Sequence, residues 1–289
     1  MSEMTALPAE FTTAPGTDGS DPLAGLYQFD QVAPLVESAD SVGAAEVEAY
    51  RELGFLAVRD VYDSGTIRST LDGLAVVATM PDQVIVEYEK WARDRPEEFR
   101  GERLLDGLRK LMTFVDFDDR LLAAARHPAV LATARSLLGA EPVLFQDMAL
   151  LKPPGGGREK PWHQDHAFFD LDVAEPIVGV WIALDDATAA NGAMHVLPGS
   201  HREGPVVHFQ RRDLQICDTW VQLDRDTVVP LPAGSALFFD GLMHHGTPPN
   251  RTDTRRRAIQ FHYVRADARH ISAGEHVRMF GAESQGATC

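Results

Sequence analysis

From Pro142 onward the chain breaks into short apolar runs, and this pattern constrains the fold more than any other feature. The runs are Val143–Lys152, Trp162–His166, Ile177–Leu184, Ala193–Leu197, Thr227–Leu231, Ala236–Asp240 and Arg257–Arg265. Gly, Pro, Asn or Asp separates them, which is the signature of strands joined by turns. The first half reads differently. Ser41 is an N-cap signal, Val42–Leu53 holds good helix formers, and Gly54 sits at the stop. Phe55–Val61 reads as a strand. Asp63 or Ser64 caps a second helix that runs to about Met80. Residues 81–110 are charged and broken by Pro81 and Pro96, and are expected to hold a helix within a variable insertion. Helical pattern returns at Asp118–Arg126 and at Pro128–Leu138, with proline at the start and Gly139 at the end. Helices followed by about eight strands predict a mainly β fold with α: a double-stranded β-helix (jelly-roll, cupin-like) core over 142–265, flanked by a helical layer mostly within 42–139. Residues 1–25 are rich in Thr, Pro, Gly, Ala and Asp without periodicity, and read as a disordered tail. Residues 26–289 then form a single domain.

The chemistry concentrates in Pro161-Trp162-His163-Gln164-Asp165-His166 and in Met243-His244-His245-Gly246-Thr247. On an extended segment His163 and Asp165 share one face and Gln164 takes the other. An imidazole and a carboxylate so placed can grip one metal ion, with a third ligand from elsewhere. His244 or His245 can supply it, but adjacent residues face opposite ways, so only one reaches. Two His and one carboxylate on one side of a metal is the pattern of non-haem Fe(II) oxygenases. His-x-Asp alone is weak, since strand histidines are commonly structural. Eleven residues past His245 lies Arg256, between Arg255 and Arg257. Alternation puts Arg256 on one face with Ala258, Gln260 and His262. A guanidinium fork binds a carboxylate bidentately.

Several motifs occur in one order: Tyr50-Arg51-Glu52-Leu53-Gly54-Phe55, Lys152-Pro153-Pro154-Gly155, His163-Gln164-Asp165, Trp181 to Asp186, Asn191 to His201, His245-Gly246-Thr247 and Arg256. Together they make the chain, over roughly residues 43–265, resemble the phytanoyl-CoA dioxygenase (PhyH-like) family of Fe(II)/2-oxoglutarate oxygenases. The resemblance selects His245 over His244 and implies Fe(II) held by His163, Asp165 and His245. It implies that 2-oxoglutarate, the cosubstrate, meets Arg256 and Thr247, with Trp181 and Gln146 lining its pocket. O2 is the third reactant, and succinate and CO2 are products. His166 and Phe168 are candidate substrate contacts. Lys110–Val115 departs from the family pattern, so no residue is assigned there. Asp165 stands where related halogenases have a small residue, which favours hydroxylation or a related oxidation. A cupin-like isomerase or hydrolase, or a silent binding relative, is the competing reading.

Composition narrows the partners. A formal net charge of -16 argues against nucleic acid and anionic membranes. No apolar run approaches a bilayer span. Cys217 and Cys289 give no disulfide framework. The N-terminus lacks a basic, apolar signal segment, which predicts a cytoplasmic protein. The substrate reads as a small, partly apolar molecule with a polar or anionic handle, met by residues in 81–110, 166–176 and 202–226. The last of these is long enough to be a lid.

Overall fold

The structure is a computed structural model that describes residues 4–5, 7–12, 23 and 25–287. Most of the expected tail, residues 1–25, therefore lies outside the described residues. Within it, β1 (Met4–Thr5) precedes one helical turn, α1 (Ala9–Thr12). Next come β2 (Leu35–Val36), α2 (Ala44–Leu53), β3 (Phe55–Val58) and α3 (Ser64–Val77). Strands β4 (Ile85–Tyr88) and β5 (Leu108–Met112) are followed by α4 (Asp119–Ala125) and α5 (Pro128–Leu138). The second half runs β6 (Val143–Lys152), β7 (Lys160–His163), β8 (Val178–Ala183), β9 (Met194–Val196), β10 (His208–Gln210), β11 (Leu214–Ile216), β12 (Thr227–Val229), β13 (Ala236–Asp240), β14 (His245–Thr247) and β15 (Arg256–Val264). Helix α6 (Ala273–Phe280) closes the sequence of elements.

Eight of these strands make the expected jelly roll. One sheet carries the order β13-β8-β15-β6 and the other β12-β9-β14-β7, with antiparallel neighbours throughout. The larger sheet is open and extends to nine strands, with β1, β2 and β3 beyond β13 and β5 and β4 beyond β6.

Strand alternation sorts the core. Trp181 and Ala183 of β8, Leu237 and Phe239 of β13 and Ala258 of β15 pack between the sheets against Met194, Val196, Val228 and Val229. The intervening residues Val180, Ile182, Phe238, Ile259, Phe261 and Tyr263 pack outward against Leu74, Val77, Leu121, Val130 and Ala134 of the helical layer. A sheet covered on both faces needs continuous apolar runs, and this is why these strands were readable.

Some sequence expectations shift. Helix α2 begins at Ala44, not Val42: Gly43 is its N-cap, and its N–H donates to the Glu46 carboxylate, while Ser41 ends a short 3-10 turn. The 81–110 segment holds no α-helix. Ile85 and Val86 favour extended chain, and β4 pairs with β5 to lengthen the large sheet. The strand expected at Trp162–His166 is displaced: β7 spans Lys160–His163, and Asp165–Phe168 is a 3-10 turn. Segment 202–226 folds into the β10–β11 hairpin and 3-10 turns.

Helix α2 ends where the sequence says, at Gly54, with φ +83 and its N–H donating to the Tyr50 carbonyl. A Cβ there would lie 2.3 Å from His201 Nδ1 and 2.4 Å from Met243 Cε. We expect Gly54→Ala to cost about 1–3 kcal/mol, from left-handed strain and that overlap. A urea midpoint equal to the parent's would contradict this.

Candidate metal centre

Strands β7 and β14 lie side by side with His163 directly opposite His245. Their ring centroids are 4.1 Å apart. Each imidazole is aimed by its own chain. His163 Nδ1 lies 2.8 Å from the Pro161 carbonyl, and His245 Nδ1 lies 3.0 Å from the Met243 carbonyl. A carbonyl only accepts, so each Nδ1 carries the proton and each Nε2 lone pair is left for a ligand.

The third donor comes from the residue after the strand turns away. Gln164 is still extended (φ -114, ψ 133). Its amide donates to the carbonyls of Gly204 and Leu242 and accepts from Val206 N–H, which pegs it on the far side. Asp165 therefore returns to the His163 side. Its Oδ1 is 3.3 Å from His163 Nε2 and 3.5 Å from His245 Nε2. Ligand atoms sharing an ion at right angles with bonds of ~2.1 Å sit about 3 Å apart. The three donor atoms all lie within 4.8 Å of one another and all three residues are buried. The donor set fits a six-coordinate ion with one face protein-bound.

Asp165 is held by its other oxygen. His262 Nε2 donates to Oδ2 at 2.7 Å and Gln260 Nε2 donates at 3.3 Å, both from β15. Burial alone would raise the Asp165 pKa, but His245, His262 and the hydrogen bonds of His163 and His262 hold it well below the usual carboxylate range. Burial, with His163 beside it, pushes His245 down to about 3, so its ring is neutral and able to ligate.

The other end of the cavity is cationic. Arg256 is 1% exposed. Its guanidinium lies 5.3 Å from the Trp181 ring, its Nη1 makes one long bond to the Leu150 carbonyl, and its Nε has no partner. Burial pulls its pKa down to about 9. Lys152 stands directly across the strand pair from Arg256. Its Nζ donates to the carbonyls of Arg158, Thr247 and Pro248. Burial and the neighbouring Arg256 hold Lys152 well below its usual value. Among the described residues, no carboxylate pairs with either cation. Trp181 Nε1 is also buried without a partner. Unmet donors around a buried guanidinium fit an anion. His163, Asp165, His245, Thr247, Trp181 and Arg256 line one cavity.

The cavity thus brings together most of the residues singled out in the sequence. Gln146 does not join them: it pairs with His262 in the strand register and borders a separate surface pocket with Val115 and Tyr263, because β6 carries it past the cavity. Nor does His166, which is buried so closely against Gly241 that a Cβ there would come within 2.6 Å of its ring. Phe168 stands edge-on to His163 at 5.7 Å, beside the cavity. His244 is backed by Ser200, whose Oγ accepts its N–H. Gln260 and His262 were not assigned roles from the sequence, although their shared face with Arg256 was visible there. Lys152 was a motif residue without a role.

The sequence profile of the phytanoyl-CoA dioxygenase (PhyH) family matches residues 50–258. The chain belongs to the phytanoyl-CoA dioxygenase family. A fungal relative from Epichloe uncinata, dioxygenase lolE1, is 30% identical over 227 residues, covering 78% of this chain and 84% of that protein. The L-proline trans-4-hydroxylase of Streptomyces griseoviridis is 29% identical and covers 69% of this chain and 85% of its own length. Among solved structures, the non-heme alpha ketoglutarate dependent carbocyclase SnoK from nogalamycin biosynthesis superposes with a TM-score of 0.65 at 23% identity, covering 83% of this chain and 92% of that one. As a phytanoyl-CoA dioxygenase family member, the protein is an iron- and 2-oxoglutarate-dependent oxygenase of small molecules. Among the described residues, no helix is long and apolar enough to cross a membrane.

Two outcomes follow from these contacts in the family member. His262→Leu removes the stronger donor to Asp165 and should weaken Fe(II) binding about 10–100-fold. His262→Gln restores a donor and should recover most of it. Anaerobic Fe(II) titration reads this, and an affinity unchanged by Leu would count against the clamp. Separately, burial pushes the pKa of His166, His208, His244 and His245 down to about 4, 3, 4 and 3. Unfolded histidine titrates near 6.5. A depressed folded pKa means full stability above about pH 6.5, lost progressively as pH falls toward 4. The metal-free melting temperature should therefore drop steadily between about pH 7 and 4.5.

Proposed function

We propose that residues 26–289 act as one Fe(II)- and 2-oxoglutarate-dependent dioxygenase domain, with iron bound by His163, Asp165 and His245. Arg256 receives the far carboxylate of 2-oxoglutarate, helped by the Thr247 hydroxyl and walled by Trp181. The observation that carries this reading is the buried Arg256 with no carboxylate partner in the same cavity as the triad. A cupin-like isomerase or hydrolase would leave that charge without a purpose. A silent relative would have no use for both ends of the cavity.

Bound iron supplies O2 activation, and 2-oxoglutarate leaves as succinate and CO2. The chain's own work is placement. His163 and His245 present neutral Nε2 atoms. Asp165 offers one oxygen while β15 occupies the other. Arg256 fixes the diacid by its far end, so that its other end meets the metal. Burial of every one of these groups excludes water from the reacting face. Phe168, edge-on to His163, would border the bound substrate, and the reaction favoured is hydroxylation or a related oxidation. The names of the relatives favour a role in secondary metabolism. The acidic composition disfavours nucleic acid and anionic membrane surfaces as partners.

The test begins with 2-oxoglutarate titrated into the anaerobic Fe(II) protein. A weak visible charge-transfer band should appear, and succinate should form under air. Arg256→Ala should raise the 2-oxoglutarate requirement about 10–100-fold, since a charge-assisted pair contributes roughly 1.5–3 kcal/mol, while iron affinity changes little. Equal loss of both would refute the assignment. His163→Ala should abolish turnover in a folded protein.

A further inference from the structure

A third group of charges borders the metal cavity, apart from the triad and from Arg256. Arg109 on β5 and Lys160 at the start of β7 both line that cavity. Both reach the same oxygen: Asp213 Oδ2 lies 2.6 Å from Arg109 Nη2 and 3.3 Å from Lys160 Nζ. Asp213 belongs to neither sheet of the jelly roll. It sits at the tip of the β10–β11 hairpin, where its Oδ1 accepts the Leu214 N–H. Burial opposes its ionisation, but Lys160 and Arg109 outweigh this and hold its carboxyl well below the usual range. A second cleft, walled by Glu87, Arg109, Lys110, Asp213 and Leu214, adjoins the metal cavity and shares Arg109 and Lys110 with it; Glu87 pairs with both of these cations from its far side.

The approach from this cleft to the metal is apolar. Lys160 Nζ lies 4.7 Å over the Phe168 ring, and Phe168 stands edge-on to His163. Met112 and Met148 pack together with Phe168 against them. One aromatic ring therefore separates Lys160 from a proposed metal ligand. We propose that Arg109 and Lys160 form the recognition site for a carboxylate on the primary substrate, and that Asp213 occupies this site as an internal stand-in when substrate is absent. The inference rests on the iron and 2-oxoglutarate reading and names the substrate class: a small organic acid with an apolar body.

The exchange is electrostatically even. Arg109 also lies 3.5 Å from Glu87, whereas the ion pair of Lys160 is with Asp213, so losing Asp213 would leave the part-buried Lys160 uncompensated. Replacing one carboxylate by another keeps both cations paired. The hairpin tip moves toward solvent, where the freed Asp213 is hydrated. Neutral molecules of the same shape cannot make the replacement, so the latch discriminates by charge.

The experiment uses the anaerobic Fe(II)–2-oxoglutarate enzyme, with excess 2-oxoglutarate to fill the Arg256 site. Phenylacetate and its neutral amide are the probes, read by calorimetry. Asp213→Asn removes the competing charge at constant shape and should tighten phenylacetate binding at least tenfold while leaving phenylacetamide unchanged. Arg109→Leu alone should weaken phenylacetate at least fivefold, and combined with Asp213→Asn it should cancel the gain. Phenylacetate binding that is indifferent to both variants, or an equal gain for the amide, would overturn the proposal. The charge-transfer band is read first in the parent. A parent without the band defeats the iron and 2-oxoglutarate reading, whereas a parent with the band and no carboxylate preference defeats only this inference.

Discussion

The pairing of two short strands, β7 against β14, is what the site depends on. It sets His163 opposite His245, so that two side chains about eighty residues apart in sequence face one point. A one-residue slip of either strand would turn its own ring to the other face and part the pair. The register is held from both sides. Gln164 binds carbonyls at Gly204 and Leu242, and β14 is also paired to β9 through His245 and Gly246. The position opposite His195 is close-packed: a Cβ on Gly246 would come 3.1 Å from the Tyr27 hydroxyl and 3.2 Å from the Lys160 carbonyl, so these neighbours would have to yield by a few tenths of an ångström.

The larger sheet supplies the rest. From β15 alone come Arg256, Gln260 and His262, all on the inner face, four and six residues apart. A single strand thus reaches both ends of the cavity: the guanidinium at one and the Asp165 clamp at the other. The helices contribute by covering the outer face of this sheet, where Tyr263 donates to the Ala125 carbonyl and Tyr62 to that of Ala124. They hold the sheet's shape without touching the metal site.

Much of this was legible in the sequence because the strands bury both faces and are bounded by turn residues. Strands β6 and β13 and helix α5 fall where the pattern puts them. The triad was legible through its spacing and the order of the motifs around it. Other parts were not, for physical reasons. Ile85–Tyr88 looks like a charged insertion because it is an edge strand with exposed Ile85, so it lacks a buried face to reveal it. Gln146 shares its strand face with Met148 and Leu150, which line the cavity, and alternation alone does not say where along β6 the cavity ends. The role of His262 depended on knowing which residue lies across from it. Asp213 could not be singled out, since its partners are roughly 50 and 100 residues away.

Arg256 and Lys152 stand across from each other, both buried, and among the described residues no carboxylate pairs with either. A dianion that settles against them adds stability to the native state alone. On the proposed reading this linkage amounts to about 2.7 kcal/mol at a hundredfold excess over the dissociation constant. The heat tolerance of the protein would then rise and fall with the 2-oxoglutarate around it.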